Sequence, residues 1–220
     1  MITKKDLLKL ETSFNKKPIQ KALQNILYKT NLTDVTRVMD SAKNQHFYFS
    51  NEVKTLPVTN QEATGRCWIF AGLNFLREET AKKLNLANFE FSQNYVAFYD
   101  KLEKINFFLE SIYDFLVVDQ DYRTLQYLLN QGIQDGGQWQ MFVIVLKKYG
   151  LAPKTVMPET KSSSMTSPMN KYINLKLRQY AYKARQLKDD MVGLDLLKAQ
   201  TLDELYTFLS ANFGNPPKTF

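Results

Sequence analysis

Apolar residues recur at helical spacing along most of the chain. Residues 3–13 open with Thr3 and Asp6 at the spacing of a capping box, which predicts a helix start. Pro18 stands where a second helix is expected to begin, because proline is favoured in the first turn. The apolar positions of this second helix lie three or four residues apart, on one face. They are Ile19, Ala22, Leu23, Ile26 and Leu27.

The same spacing continues after the single cysteine of the chain. Ile69, Leu73 and Leu76 recur four and three residues apart, which predicts a helix from Cys67 to about Leu84. Later stretches also favour helices, with start and stop signals at several ends. The predicted segments are 92–131 with Ser92 as N-cap, 139–149 ended by Gly150, 170–190, and 201–212 with Thr201 and Glu204 at capping-box spacing.

Two stretches depart from the helical pattern. Phe47, Tyr48 and Phe49 form a short apolar run, which we interpret as a strand. Residues 161–170 are rich in Ser, with Thr, Pro and Asn, and predict a flexible loop. The chain is therefore predicted to be mainly helical.

Composition narrows the class of protein. Apolar residues make up 44% of the 220 residues, enough for a sizeable core, and the net charge is +7. One cysteine excludes an internal disulfide and favours a reducing compartment. The N-terminus has no signal-peptide pattern, and no run of about eighteen apolar residues is present. We therefore predict a soluble, cytoplasmic protein.

Cys67 is the strongest candidate for chemistry. It stands at the mouth of a predicted helix, where the helix dipole and unpaired N–H groups favour the nucleophilic thiolate, and Gly65 permits a tight turn before it. Gln61 lies six residues earlier, close enough to donate an amide N–H to a developing oxyanion. The alternative is that a lone cysteine is simply a small buried apolar residue.

The residues around Cys67 decide between these readings. The string Asn60-Gln61, then Gly65-Arg66-Cys67-Trp68, resembles the active-site segment of papain-like cysteine peptidases, and most closely that of the bleomycin hydrolase and aminopeptidase C family. Thr64 and Arg66 depart from the general papain-like pattern. The resemblance implies that Cys67 is the nucleophile, and that Gln61 and the Cys67 backbone N–H bind the oxyanion.

A second matching string is Gln134-Asp135-Gly136-Gly137. Paired glycines alone indicate only a turn. In the resembled family such a pair lets the substrate backbone lie against the enzyme as an extended strand, so Gly136 and Gly137, with Asp135 and Trp68, are predicted to bind substrate. Secreted family members carry a disulfide between the positions of Thr64 and Gln134, and its absence here is consistent with a cytosolic protein.

The resemblance implies an α+β papain-like fold, of which this chain is mostly the helical, nucleophile-bearing half. We expect residues 1–55 to form a helical extension and residues 56–220 the truncated peptidase domain. No histidine follows Cys67, and His46 precedes it, whereas the family order is Cys, His, Asn. The isolated chain is therefore predicted to be inactive, as a fragment of an aminopeptidase.

The resemblance also implies peptide substrates, a homohexamer and no metal or organic cofactor. A different hypothesis comes from the window 161–188, which contains seven basic residues and no acidic one. A basic helix over residues 170–190 is typical of a non-catalytic module that binds nucleic acid or another polyanion, although a solvated helix face has the same composition.

Overall fold

The structure is a computed structural model that describes residues 2–38 and 48–219. Its contacts group the chain into two compact units, Met1–Val53 and Lys54–Phe220. The boundary expected at residues 55 and 56 stays a prediction. Tyr48 and Phe49 are not in a strand, and the remaining residue of that predicted strand, Phe47, lies outside the described residues, as does His46.

In residues 2–38 and 48–53, the described part of the first unit, three helices are present, and the starts of the first two follow local sequence signals. They are α1 (Lys4–Asn15), α2 (Pro18–Leu27) and α3 (Leu32–Val35). The predicted capping box is confirmed: the Thr3 hydroxyl accepts from the Asp6 N–H at 3.3 Å, and the Thr3 N–H donates to the Asp6 carboxylate at 3.0 Å. Pro18 is the first residue of α2, also as predicted.

Over residues 54–219 the second unit has six α-helices, one of which is buried at its centre. They are α4 (Cys67–Leu84), α5 (Gln93–Ser111), α6 (Arg123–Gln131), α7 (Trp139–Tyr149), α8 (Ser167–Gln186) and α9 (Met191–Phe213). A 3-10 turn, Ile112–Phe115, extends α5, and residues 116–122 then interrupt the helix predicted to continue to residue 131. The predicted helix ends at Leu84 and Gly150 and the Ser92 N-cap are confirmed.

Helix α5 forms the centre of the core. It packs against α4, α7, α8 and α9, and Val96, Phe98, Ile105 and Leu109 on it are completely buried. Burying a side chain of this size contributes about 1.5–3 kcal/mol. The core therefore fixes α4, which carries Cys67, against the segment that contains the glycine pair.

Two further sequence predictions were wrong in this unit. The last helix begins at Met191, not near Thr201, because the Asp190 carboxylate accepts the Gly193 N–H at 2.9 Å and caps it there. Thr201 lies inside α9, where its hydroxyl donates to the Leu197 carbonyl. Residues 161–170 are not a loop throughout: Ser163 and Thr166 are buried, and α8 begins at Ser167.

Helices dominate the described part of the chain, and pairing between extended segments is limited to two isolated β-bridges. Ala63 pairs with Met165 and Phe91 pairs with Pro153. This composition agrees with the predicted helical half of a papain-like fold. Within residues 2–38 and 48–219, none of the helices is both long and apolar enough to cross a membrane.

Candidate active site

Cys67 is the first residue of α4, and its side chain is exposed and free. Arg66, the N-cap, makes no side-chain capping bond, and its carbonyl accepts the N–H groups of Ile69 and Phe70. Within the described residues, the N–H groups of Cys67 and Trp68 have no partner, as expected for the first turn of a helix. The thiol thus lies beside free donors at the positive end of the helix dipole.

Gln61 lies in the nucleophile loop, residues 60–66, which leads to Cys67. One of its amide N–H groups donates to the Thr64 carbonyl at 3.0 Å, and the Thr64 hydroxyl donates to the Gln61 carbonyl at 2.7 Å. These two bonds hold the side chain within the loop. A primary amide carries two N–H groups, so the second remains available as a donor. The oxyanion role of Gln61 stays a prediction.

Arg66 replaces a small residue of the papain-like pattern, and the structure explains the replacement. Its side chain is 2% exposed and forms a two-point ion pair with Glu159, at 3.1 and 3.0 Å. Its Nε donates to the Thr64 hydroxyl, and the guanidinium lies 5.5 Å from the centre of the Phe70 ring. Ser163 adds a hydrogen bond to Glu159 at 2.5 Å. This pair joins the nucleophile loop to residues 159–163.

Asp135 is surrounded by donors from three parts of the fold. Its Oδ1 accepts from Lys101 at 2.5 Å and Asn170 at 2.9 Å, and its Oδ2 accepts from the Gly65 N–H at 3.1 Å and Thr166 at 2.5 Å. The carboxylate therefore links the nucleophile loop to α5 and α8. Because both oxygens are already occupied, the geometry favours a structural anchor over the substrate contact predicted for Asp135.

The charge state of this anchor follows from its surroundings. Burial acts to raise the pKa of the Asp135 carboxyl, but the Lys101 ammonium and the hydrogen bonds from Asn170 and Thr166 outweigh it and hold that pKa well below its ordinary value. Burial also lowers the pKa of Lys101, against the attraction of Asp135. We treat the pair as ionised at neutral pH, since four donors converge on the carboxylate.

The glycine segment, residues 134–138, lies against Trp68, the residue after the nucleophile. The Trp68 indole N–H donates to the Asp135 carbonyl at 2.7 Å. A Cβ atom at Gly137 would lie 2.5 Å from the indole ring, whereas one at Gly136 would meet nothing within 4 Å. Gly137 is thus needed for close packing against Trp68, and Gly136 leaves open space in front of the segment.

Gly65 is needed for a different reason from the one predicted. Its φ is not positive, so the turn before Cys67 does not require glycine for its backbone angles. A Cβ atom there would lie 3.0 Å from the Asp135 Cβ. The absence of a side chain therefore allows the nucleophile loop to approach Asp135 closely enough for the Gly65 N–H to reach the carboxylate.

These contacts predict that alanine substitution lowers stability at Gly137 but has little effect on it at the adjacent Gly136. Gly137→Ala will force the Trp68 indole to move and lower the free energy of unfolding by about 1–3 kcal/mol, the usual cost of overpacking. Gly136→Ala will change it by less than about 0.5 kcal/mol, because the added methyl has room. Urea unfolding followed by tryptophan fluorescence measures both. Equal destabilisation of the two variants would contradict the close packing of Gly137 on Trp68.

A cavity of about 580 Å³ opens between the nucleophile loop and the glycine segment. Thr64 and Gly65 line it from the loop, Gln134 and Asp135 from the segment, and Lys171 from α8. Polar groups from three elements therefore surround a space beside the nucleophile loop, although Cys67 and the glycine pair do not line it.

The basic stretch 161–188 is partly engaged within the chain. Lys176 forms an ion pair with Glu204 at 2.5 Å, Arg178 donates to a carbonyl of α6, and Arg185 donates to two carbonyls in the turn after α5 at 2.5 Å each. Fewer cations are therefore directed to solvent than the sequence suggested, and the polyanion hypothesis stays untested. The exposed members are Lys161, Lys171, Arg178, Lys183 and Lys188.

Sequence reasoning missed the charged residues behind the site. Lys104 lies four residues after Asp100 and three after Lys101 on α5, spacings that place it beside both side chains, and this was an available signal. The partner of Arg66 lies 93 residues away, so no local pattern indicates Glu159. The departure of Arg66 from the papain-like pattern was the only sign of that ion pair.

The sequence of this chain is similar to those of a known family of peptidases. The profile of the Peptidase C1-like family matches residues 1–220. Aminopeptidase C of Listeria monocytogenes is 41% identical over 218 residues, which are 98% of this chain and 46% of that protein. Bleomycin hydrolase of Oryctolagus cuniculus is 40% identical over 173 residues, 74% of this chain and 61% of that protein.

A solved structure has the same architecture. PepW from Lactobacillus rhamnosis HN001 superposes with a TM-score of 0.88 at 38% identity, over 100% of this chain and 50% of that protein. The chain thus spans about half the length of the aminopeptidase C and PepW relatives it matches. From the profile match and these similarities, we conclude that the chain belongs to the Peptidase C1-like family, which it shares with proteins named aminopeptidase C and bleomycin hydrolase.

Proposed function

We propose that the chain supplies the nucleophile-bearing part of a cysteine aminopeptidase of the bleomycin hydrolase type. The observation that carries the proposal is the free, exposed thiol of Cys67 at the start of α4, next to the nucleophile loop and Trp68, which holds the glycine segment. The relatives named aminopeptidase C and bleomycin hydrolase support this class of substrate, peptides cut at their N-termini.

In the proposed reaction, the Cys67 thiolate attacks the carbonyl carbon of the first peptide bond, and an S–C bond forms as the C=O becomes an oxyanion. The Gln61 side chain and the Cys67 N–H donate to this oxygen. The oxyanion then collapses and expels the amine, which takes a proton from an imidazolium. Water hydrolyses the remaining acyl-thioenzyme. Asp135 and Trp68 hold the nucleophile loop and the glycine segment together.

The substrate backbone lies along Gly136 and Gly137 in this proposal, because Gly136 leaves open space and neither N–H group has a partner among the described residues. The imidazole is not assigned, since the only histidine, His46, lies outside those residues and precedes Cys67. The complete enzyme is proposed to have an α+β papain-like fold, to be cytoplasmic and to form a homohexamer, whereas the 220-residue chain alone is proposed to be inactive.

The test joins this chain to the half of Listeria monocytogenes aminopeptidase C that it does not match, and measures hydrolysis of aminoacyl arylamides. The chimera is expected to be active. Cys67→Ala will abolish the activity, and Gln61→Ala will lower kcat by about 10²–10³-fold, the usual effect of losing one oxyanion donor. The unfused chain will show no turnover.

Two results would contradict the proposal in different ways. Full activity of the chimera with Gln61→Ala would remove Gln61 from the oxyanion site. Turnover by the unfused chain that disappears in Cys67→Ala would show that it already contains its base, which would move His46 into that role. The partly exposed variant Lys198→Met serves as the control for expression and folding, because its ion pair with Glu110 joins α9 to α5 and involves neither the nucleophile loop nor the glycine segment.

A further inference from the structure

We propose that Lys104 is a positioning residue that aims the Gly137 N–H at a peptide backbone lying along the glycine segment; this rests on the proposed function. Lys104 projects from α5 towards the glycine segment. Its ammonium donates to the Gly136 carbonyl at 2.7 Å and to the Gln134 carbonyl at 2.9 Å. It pairs with Asp100 at 2.7 Å and lies 5.4 Å from the centre of the Trp68 ring.

The geometry of the peptide unit makes this contact directional. The Gly136 carbonyl and the Gly137 N–H belong to one planar peptide group, and no described peptide bond is cis. In a trans peptide these two groups point in opposite directions. Because Lys104 fixes the carbonyl towards α5, the Gly137 N–H must point away from α5. That N–H has no partner within the described residues.

The neighbouring peptide group is oriented in the same way by a different donor. The Trp68 indole binds the Asp135 carbonyl at 2.7 Å, which directs the Gly136 N–H away from the indole. Three successive carbonyls, those of Gln134, Asp135 and Gly136, are therefore all held from inside the fold. The unpaired N–H groups of the glycines are left as the donors of the segment.

Lys104 also strengthens the donor it aims. A cation bound to a carbonyl polarises the whole peptide group and makes its N–H a better donor, the cooperative effect seen in chains of hydrogen bonds. The lysine side chain is only 16% exposed and Asp100 only 5%, so the ion pair that holds the ammonium in place is mostly buried. Loss of the ammonium should therefore weaken the substrate hydrogen bond and also release the orientation of the peptide group.

The single cysteine makes this testable in the chain itself, since Cys67 is the one thiol that can be alkylated and its modification can be followed by peptide mass analysis. Two reagents are compared: a dipeptidyl chloromethyl ketone, and its uncharged analogue in which an (E)-alkene replaces the peptide group. Both are one residue longer than the single residue that an aminopeptidase acylates, so that the peptide position can lie on the glycine segment. In both, the thiolate displaces chloride and a C–S bond forms. Only the first can accept from the Gly137 N–H. Iodoacetamide, which does not use the segment, normalises the rates for thiol reactivity.

Wild type is expected to react about 5–10-fold faster with the reagent that has the amide carbonyl than with its analogue, which is the value of one hydrogen bond. Lys104→Met combined with Asp100→Asn, which avoids an unpaired buried carboxylate, will reduce this ratio to below about 2 and leave the iodoacetamide rate unchanged. Lys198→Met is the matched control, because it removes a lysine from a different ion pair on α9, and it will keep the wild-type ratio. A purely structural role for Lys104 would change the iodoacetamide rate instead.

A ratio that survives in the double variant would overturn the role of Lys104 while leaving the proposed function intact. A wild-type chain that does not distinguish the two reagents would overturn peptide binding along the glycine segment, and the inference with it. Glycine-selective ¹⁵N labelling gives a second measurement, because the chain has only eight glycines. The Gly137 amide resonance must shift in the double variant, and those of Gly150 and Gly214 must not.

Discussion

Glu159→Gln will lower the free energy of unfolding by about 3–5 kcal/mol, although the substitution removes only a charge. Its partner Arg66 is 2% exposed, so the variant leaves an uncompensated guanidinium cation in the interior. The replacement amide also loses the two-point match that the carboxylate makes with the guanidinium at 3.1 and 3.0 Å. Urea unfolding of the chain measures the loss.

Two further variants separate charge from packing in this prediction. Glu90→Gln breaks the partly exposed ion pair with Lys154, and should cost less than about 1 kcal/mol. Arg66→Met combined with Glu159→Leu removes both charges, and should be at least about 2 kcal/mol more stable than Glu159→Gln, because neither charge is then left alone. A double variant less stable than Glu159→Gln would show that packing by Arg66, not its charge, holds the loop.

The position of Arg66 also connects stability to function. It precedes Cys67 directly, and its side chain joins the nucleophile loop to residues 159–163. Disorder introduced by Glu159→Gln will therefore reach the thiol. We interpret Arg66, which stands where the papain-like pattern has a small residue, as the side chain that fixes the nucleophile loop through its ion pair with Glu159.

Predictions from sequence succeeded where the cause was local. The capping box of Thr3 and Asp6, the cap at Ser92 and the helix from Cys67 each depend on residues within one or two turns, and the structure confirms them. The same local reasoning failed at Thr201. A capping pattern was present there, but the buried Leu194 belongs to the same helix, and the earlier cap at Asp190 starts it.

In the site, too, local sequence patterns were predictive and contacts between distant residues were not. Cys67 and the glycine pair were identified because short strings resemble a known family, whereas the lysines that hold the glycine segment were not. Lys104 meets Gly136 across 32 residues and Lys101 meets Asp135 across 34, so these contacts depend on how α5 packs against the glycine segment. The sequence indicates that the charges share a helix face but not which backbone groups they meet.

Asp135→Asn will destabilise the chain at neutral pH by about 3–5 kcal/mol, because it leaves the Lys101 ammonium, 2% exposed, without its counter-charge. The loss depends on pH in a defined direction. The folded-state pKa of Asp135 lies well below its ordinary value, so the ionised carboxylate stabilises the fold fully above the unfolded pKa, about 3.9. This contribution is lost as pH falls from there towards the folded pKa.

The difference in stability between wild type and Asp135→Asn should therefore be constant from about pH 5 to 7. Below about pH 4 it should shrink by about 1.4 kcal/mol per pH unit, the slope for one proton. Urea unfolding at pH values from about 2 to 7 measures it, with Asp203→Asn, at an exposed site on α9, as the matched control whose curve should run parallel to wild type. A difference that persisted undiminished at pH 2 would mean that the Asp135 charge contributes nothing to holding Gly65, Lys101 and α8 together. In that case its role would be steric, through the 3.0 Å approach that only glycine at position 65 permits.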